Sequence, residues 1–142
     1  HISGPSRNGE GLFKSINKAL NMACLNGNEI EYICAHGTAT VFNDEMEAQA
    51  FTRLNMQNIP LNSLKGYFGH TLGASGLLET IIATKSMNNN YLYKSYGFNK
   101  IGLTLPLNII KKNKKKNFSI ILKTASGFGG SNVAILIKKC KI

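Results

Sequence analysis

Two histidines and a glycine loop are the residues of this 142-residue chain best suited to chemistry. The first station is Cys34-Ala35-His36-Gly37-Thr38-Ala39-Thr40, where a short apolar run delivers an imidazole and two hydroxyls onto a glycine turn. The second is Gly69-His70-Thr71-Leu72-Gly73-Ala74-Ser75-Gly76, and Ser126-Gly127-Phe128-Gly129-Gly130-Ser131-Asn132 closes the set. Two imidazoles on convergent loops can hold a carbonyl oxygen while negative charge accumulates on it. His70 precedes a glycine-rich helix start, where free backbone N–H groups favour the same charge. Each histidine also has a plainer reading, as a core or turn residue satisfied by the backbone. Metal coordination is the weaker functional reading, because Cys34 is the only near candidate for a third ligand. Glycines 127, 129 and 130 permit positive φ, so the Phe128 amide could point into a pocket while its ring gates it; a tight bulged turn between strands fits equally well. Lys65 and Glu47 are a candidate buried ion pair that would orient the site.

These stations need elements to carry them. Leu12, Ile16, Ala19, Leu20 and Ala23 recur at helical spacing and predict an amphipathic helix over 9–26, stopped by Gly27. Residues 30–35 read as a short buried strand ending at His36. Asp44 followed by Glu47 has the capping-box spacing, and Met46, Ala50 and Leu54 extend a helix to about Asn55. Residues 59–64 read as a strand with Pro60 near its start, from which Lys65 leaves toward His70. Leu77, Leu78, Ile81, Ile82 and Met87 predict a largely buried helix over 73–88. Residues 91–102 form a poorly patterned connection. Strands over 103–110 and 118–123 flank a lysine-rich turn, and a last strand over 133–137 pairs back as a hairpin. Helices alternating with strands early and a hairpin late predict an α/β fold with a mixed sheet flanked by helices.

Hydrophobic residues make up 43% and charged residues 17%, the balance of one globular domain. No apolar run approaches the ~20 residues of a membrane span. Cys24, Cys34 and Cys140 are an odd set without CxxC spacing, which argues against a disulfide framework or zinc site and for a reducing, cytoplasmic setting. The net charge of +10 gathers partly in Lys111-Lys112-Asn113-Lys114-Lys115-Lys116 and Lys138-Lys139-Cys140-Lys141. Between strands such a run reads as a solvated hairpin connection. It would also suit an acidic protein partner, whereas nucleic-acid binding is disfavoured by the lack of interleaved aromatics.

Together the three stations resemble the C-terminal half of a β-ketoacyl-acyl carrier protein synthase. Residues 35–40 resemble the AHGTxT motif, Lys65 to His70 the KxxxGH motif, and residues 127–132 the GFGG(T/S)N loop. The resemblance implies a thiolase-like α/β fold, one half of a duplicated five-layered αβαβα sandwich with a mixed sheet. It implies decarboxylative Claisen condensation of a malonyl-carrier protein with an acyl thioester, in fatty acid or polyketide-type elongation, without metal or other cofactor. His36 and His70, both neutral, would stabilise the enolate; Lys65 would be the active-site lysine, oriented by Glu47; Thr38 and Thr40 would hold the phosphopantetheine arm. The Phe128 amide would complete the oxyanion hole on its loop of Gly127, Gly129 and Gly130, and its ring would gate the acyl pocket. Asp44 reads as a helix cap. The implied partners are an acyl carrier protein and a second copy in a homodimer. The family's nucleophilic cysteine belongs to an N-terminal half, so the expectation is that 1–142 is a C-terminal half-domain, inactive alone, with its half-to-half interface uncovered. A non-catalytic binder of an acidic carrier protein is the alternative.

Overall fold

A computed structural model describes residues 4–140; Lys141 of the basic terminus lies outside the described residues. Helix α1 (Glu10–Ala23) leads to strand β1 (Tyr32–Cys34), helix α2 (Val41–Arg53), strand β2 (Leu61–Asn62), the short helix α3 (Lys65–Phe68) and helix α4 (Ser75–Asn88). Strands β3 (Tyr91–Leu92), β4 (Lys114–Lys115), β5 (Ile120–Ser126) and β6 (Asn132–Lys138) follow. The main sheet has the order β2-β1-β5-β6. β1 runs parallel to both its neighbours, and β5 and β6 form an antiparallel hairpin, so the sheet is mixed as expected.

Both faces of β1 and β5 are covered, which makes their burial continuous rather than alternating. On one face Leu12, Ile16 and Leu20 of α1 and Met46, Ala50 and Phe51 of α2 pack on Ile33, Ala35 and Leu122. On the other, Ala83 and Met87 of α4 pack on Tyr32, Cys34 and Ile121. The layering is α/β/α, with α2 and α4 on opposite sides of β1.

Several boundaries differ from the sequence-based expectation for local reasons. α1 ends at Cys24, whose left-handed backbone (φ 51°, ψ 41°) closes the helix before Gly27, and Gly27 opens a 3-10 turn instead. α2 starts after Thr40, not at Asp44, because extended Thr40 already accepts the Asp44 amide as the first helical bond; Asp44 therefore sits in the first turn and Glu47 is no capping partner. Residues 103–110 are irregular apart from one parallel bridge between Leu61 and Ile109. The lysine run is not a free turn, since Lys114 and Lys115 pair with Tyr91 and Leu92 while both side chains stay in solvent. Helix α4 turns Ser75, Glu79, Ala83, Ser86 and Met87 inward and leaves Leu77 and Ile81 exposed, so it is not buried all round.

Candidate active site

β1 and β2 run parallel and end side by side, and the loops leaving their carboxyl ends carry the chemistry, the usual place for a site in an α/β sheet. His36 follows β1 directly and is buried; His70 follows α3 and is exposed. Their rings meet edge to face with centroids 5.3 Å apart and planes at 85°. An open cavity of about 820 Å³ lies beside His70, walled among others by Gly37, Thr38, Lys65, Gly69 and Tyr96, with the buried His36 ring behind its wall rather than in it. Two glycines make this approach of loops possible. Gly37 has φ 47°, and a Cβ there would sit 2.5 Å from Ser63 Cβ; at Gly66 it would sit 2.2 Å from the Tyr96 carbonyl oxygen.

The hydrogen-bond partners assign both imidazole tautomers. Lys65 Nζ lies 3.2 Å from His36 Nδ1, and a lysine ammonium only donates, so Nδ1 accepts and the proton is on Nε2. The Leu72 amide donates to His70 Nδ1 at 3.1 Å, again leaving the proton on Nε2. Burial, then the Lys65 and Lys123 charges, push the His36 pKa down to about 4, so the ring is neutral at pH 7. Two imidazoles with the proton on Nε2 thus stand edge to face, a pair of donors suited to an oxygen that gains negative charge.

The expected Lys65–Glu47 ion pair is not formed, because α2 and α4 approach from opposite faces of the sheet. Glu47, on α2, accepts the His36 amide at 2.9 Å, the Gly37 amide at 2.7 Å and the Thr124 hydroxyl at 3.1 Å. It fixes the backbone of the histidine turn, and burial raises its pKa against those amides. Lys65 pairs instead with Glu79 of α4, Nζ to Oε1 at 2.6 Å, and also donates to the His36 carbonyl. Glu79 Oε2 faces a second buried cation, Lys123 of β5, at 2.7 Å, close in distance but without hydrogen-bond alignment.

Glu79 and Lys123 escaped the sequence reading. Their signals were an acid four residues after Ser75 on a small-residue face, and a lysine ending the apolar run Ile120-Ile121-Leu122. Thr38 and Thr40 stand at the rim with hydroxyl oxygens 2.9 Å apart, and Asn43 donates to Thr40. Asp44 is raised by burial, with the Thr38 and Ala39 amides acting against it. The Phe128 ring does not gate the cavity within this chain. It is 86% exposed and forms no wall, because its 3-10 turn, with Gly129 at φ 74° and Gly130 at φ 78°, carries it out at the sheet end. Cys34 lies inside the core with its thiol 4.0 Å from the Glu79 carbonyl oxygen, and burial raises its pKa to about 11. It is neither a third ligand beside the histidines nor an activated nucleophile.

The fold is one half of a thiolase-like α/β core. Residues 1–99 match the model of the beta-ketoacyl synthase C-terminal domain, and the chain belongs to that family. A 3-oxoacyl-[acyl-carrier-protein] synthase 2 from Rhizobium meliloti is 29% identical over 143 residues, 98% of this chain and 34% of the relative. A beta-ketoacyl synthase crystal structure from Burkholderia phymatum superposes with TM-score 0.93 at 29% identity, over 99% of this chain and 35% of that one. A type II polyketide ketosynthase, solved with its acyl-carrier protein and bound to the hexaketide, gives TM-score 0.93 at 26% identity, again over 99% and 35%. The chain spans about a third of the length of the curated relatives it matches.

Proposed function

We propose that this chain supplies the enolate-stabilising half of a β-ketoacyl-acyl carrier protein synthase. The observation that carries the reading is the pair of neutral, Nε2-protonated imidazoles of His36 and His70. A malonyl thioester placed with its carbonyl oxygen on both N–H groups loses carbon dioxide. The electron pair of the breaking C–C bond forms an enolate whose oxygen the two donors stabilise. The enolate carbon then attacks an acyl thioester, and the acyl group's former thiol partner leaves as thiolate. Lys65 keeps His36 in the donating tautomer, Thr38 and Thr40 would take the pantetheine arm, and the Phe128 amide would complete the oxyanion hole. The reaction needs no metal or other cofactor.

The acyl-bearing thiol is proposed to come from outside residues 1–142, since Cys34 is inert and Cys24 and Cys140 lie away from the motif loops in sequence. An acidic acyl carrier protein is the proposed partner; the exposed Lys111, Lys112, Lys114 and Lys115 suit it. Exposed Leu77 and Ile81 on α4, with Val133 and Ile135 on β6, offer apolar surface for an adjoining half and a second protomer of a homodimer. Among the described residues no helix is long and apolar enough to cross a membrane; the proposed setting is the cytoplasm.

The test is malonyl-carrier decarboxylation by the full-length protein and its His36→Ala and His70→Ala variants. Each variant should lose roughly 10²–10³-fold in kcat, the usual effect of one oxyanion donor. Carrier binding with no decarboxylation in the unsubstituted protein would leave a non-catalytic binder and refute the enzyme reading.

A further inference from the structure

We infer that Lys123 is a positioning residue for the histidine centre: it holds Glu79 from the β5 side, so that Glu79 can hold Lys65 against His36. The inference rests on the condensing-enzyme reading above and extends it to a residue that none of the three sequence motifs contains.

The geometry is a relay of charges through the middle of the fold. Lys123 sits on central strand β5, opposite Cys34 in the parallel register, and is 2% exposed. Its ammonium donates to the Thr124 carbonyl, lies 3.5 Å from the Ala35 carbonyl and stands 2.7 Å from Glu79 Oε2. The other oxygen of the same carboxylate is the one on Lys65, which reaches His36 Nδ1. Among the described residues the buried lysines and carboxylates are Lys65, Lys123, Glu47 and Glu79, and all four surround His36 or its backbone. A lysine in an apolar strand is costly to desolvate, and an aliphatic side chain of similar volume would serve packing as well or better. Its placement here balances the two carboxylates with two ammonium groups.

That balance sets the consequence of removing it. The groups facing His36 are Glu47 from α2 on its backbone amide, Lys65 from α3, Glu79 from α4, Lys123 from β5 and His70 from its loop. Without Lys123 the buried carboxylates outnumber the ammonium groups, Glu79 keeps only Lys65 as a partner, and the site recruits a proton. The His36 ring accepts one more readily, because a positive charge that opposed its protonation is gone. A protonated ring has no acceptor at Nδ1 for Lys65, and the fixed donor geometry is lost.

The experiment uses the full-length protein and malonyl-carrier decarboxylation from pH 5 to 9. Lys123→Met should lower kcat roughly tenfold, as loss of an outer partner typically does, with KM nearly unchanged. Its acid limb should move up by roughly one pH unit, as expected for loss of one nearby positive charge. A wild-type pH profile and kcat in a folded Lys123→Met variant would overturn the inference. Should that variant not fold, ¹⁵N resonances of the lysine side chains in the unsubstituted protein decide: a protected Lys123 ammonium supports the relay, and a neutral or freely exchanging amine overturns it. His36→Ala in the same assay separates the two levels. If it still decarboxylates, the functional reading falls and the relay with it; if it is inactive while Lys123→Met behaves as wild type, only the relay falls.

Discussion

The depressed basicity of His36 makes folding itself pH-dependent, with a sign that can be checked. The ring takes a proton near pH 6.5 when solvated but only near pH 4 in the fold, because burial, Lys65 and Lys123 oppose the charge. Below pH 6.5 the unfolded chain therefore binds a proton that the folded chain refuses, and stability falls as pH falls through that window. Integrating the uptake from pH 7.5 to pH 5 gives ~2 kcal/mol, approaching about 3 kcal/mol below pH 4. Glu47 works the other way. Its carboxyl is raised by burial, so above its ordinary value the fold keeps a proton that the unfolded chain releases, and its contribution improves as pH falls toward 4.5.

A single pH scan would mix the two, so the test is a comparison. His36→Gln removes the titrating ring while its side-chain oxygen can still accept from Lys65. Urea unfolding of full-length protein at pH 7.5 and pH 5 should show the wild type losing ~2 kcal/mol more than His36→Gln across that interval. Equal losses in the two proteins, or an NMR titration of the His36 ring with its midpoint near 6.5, would refute the argument that the ring is held neutral by its surroundings.

The other expectations test neighbouring contacts. Glu47→Ala strips the acceptor from the His36 and Gly37 amides and should destabilise by about 2–6 kcal/mol in urea unfolding, since each orphaned buried N–H costs about 1–3; Glu47→Gln, keeping one acceptor, should cost roughly half as much. Alkylation at pH 8 read by mass spectrometry should modify the exposed Cys24 and Cys140 and spare buried Cys34 until denaturant is added, and early labelling of Cys34 would show that the core opens there.

How much of this was legible in the sequence follows from the physics of each element. The amphipathic α1 was readable because its periodicity reports a single covered face, and β1 and β5 because a short apolar run bounded by turns marks a strand covered on both. The convergence of His36 and His70 was carried by the resemblance of their motifs, since permissive glycine turns by themselves leave each histidine an equally plain core or turn reading. Helix α4 was misread for a definite reason. Its most apolar stripe contains Leu77 and Ile81, and burying the most apolar stripe is the default expectation; here the sheet takes the side with Ser75, Glu79 and Ala83. With the wrong face turned inward, Glu79 could not be seen as a partner of Lys65, and Glu47 stood in its place.

The exchange of Glu47 for Glu79 changes how the site is understood. A carboxylate on α2 and another on α4 grip the end of β1 from opposite faces of the sheet. Glu47 holds the His36 and Gly37 amides, and so fixes where the turn is. Glu79 holds Lys65 against Nδ1, and so fixes which nitrogen carries the proton. Position and tautomer are therefore set by separate helices, and a substitution on one side should disturb one without the other. Glu47→Ala should displace the ring and weaken substrate contacts and stability together. Loss of Lys123 or Glu79 should leave the turn in place and alter the ring's proton. The two classes of variant are distinguished by their readouts, stability and KM for the first and the pH profile for the second.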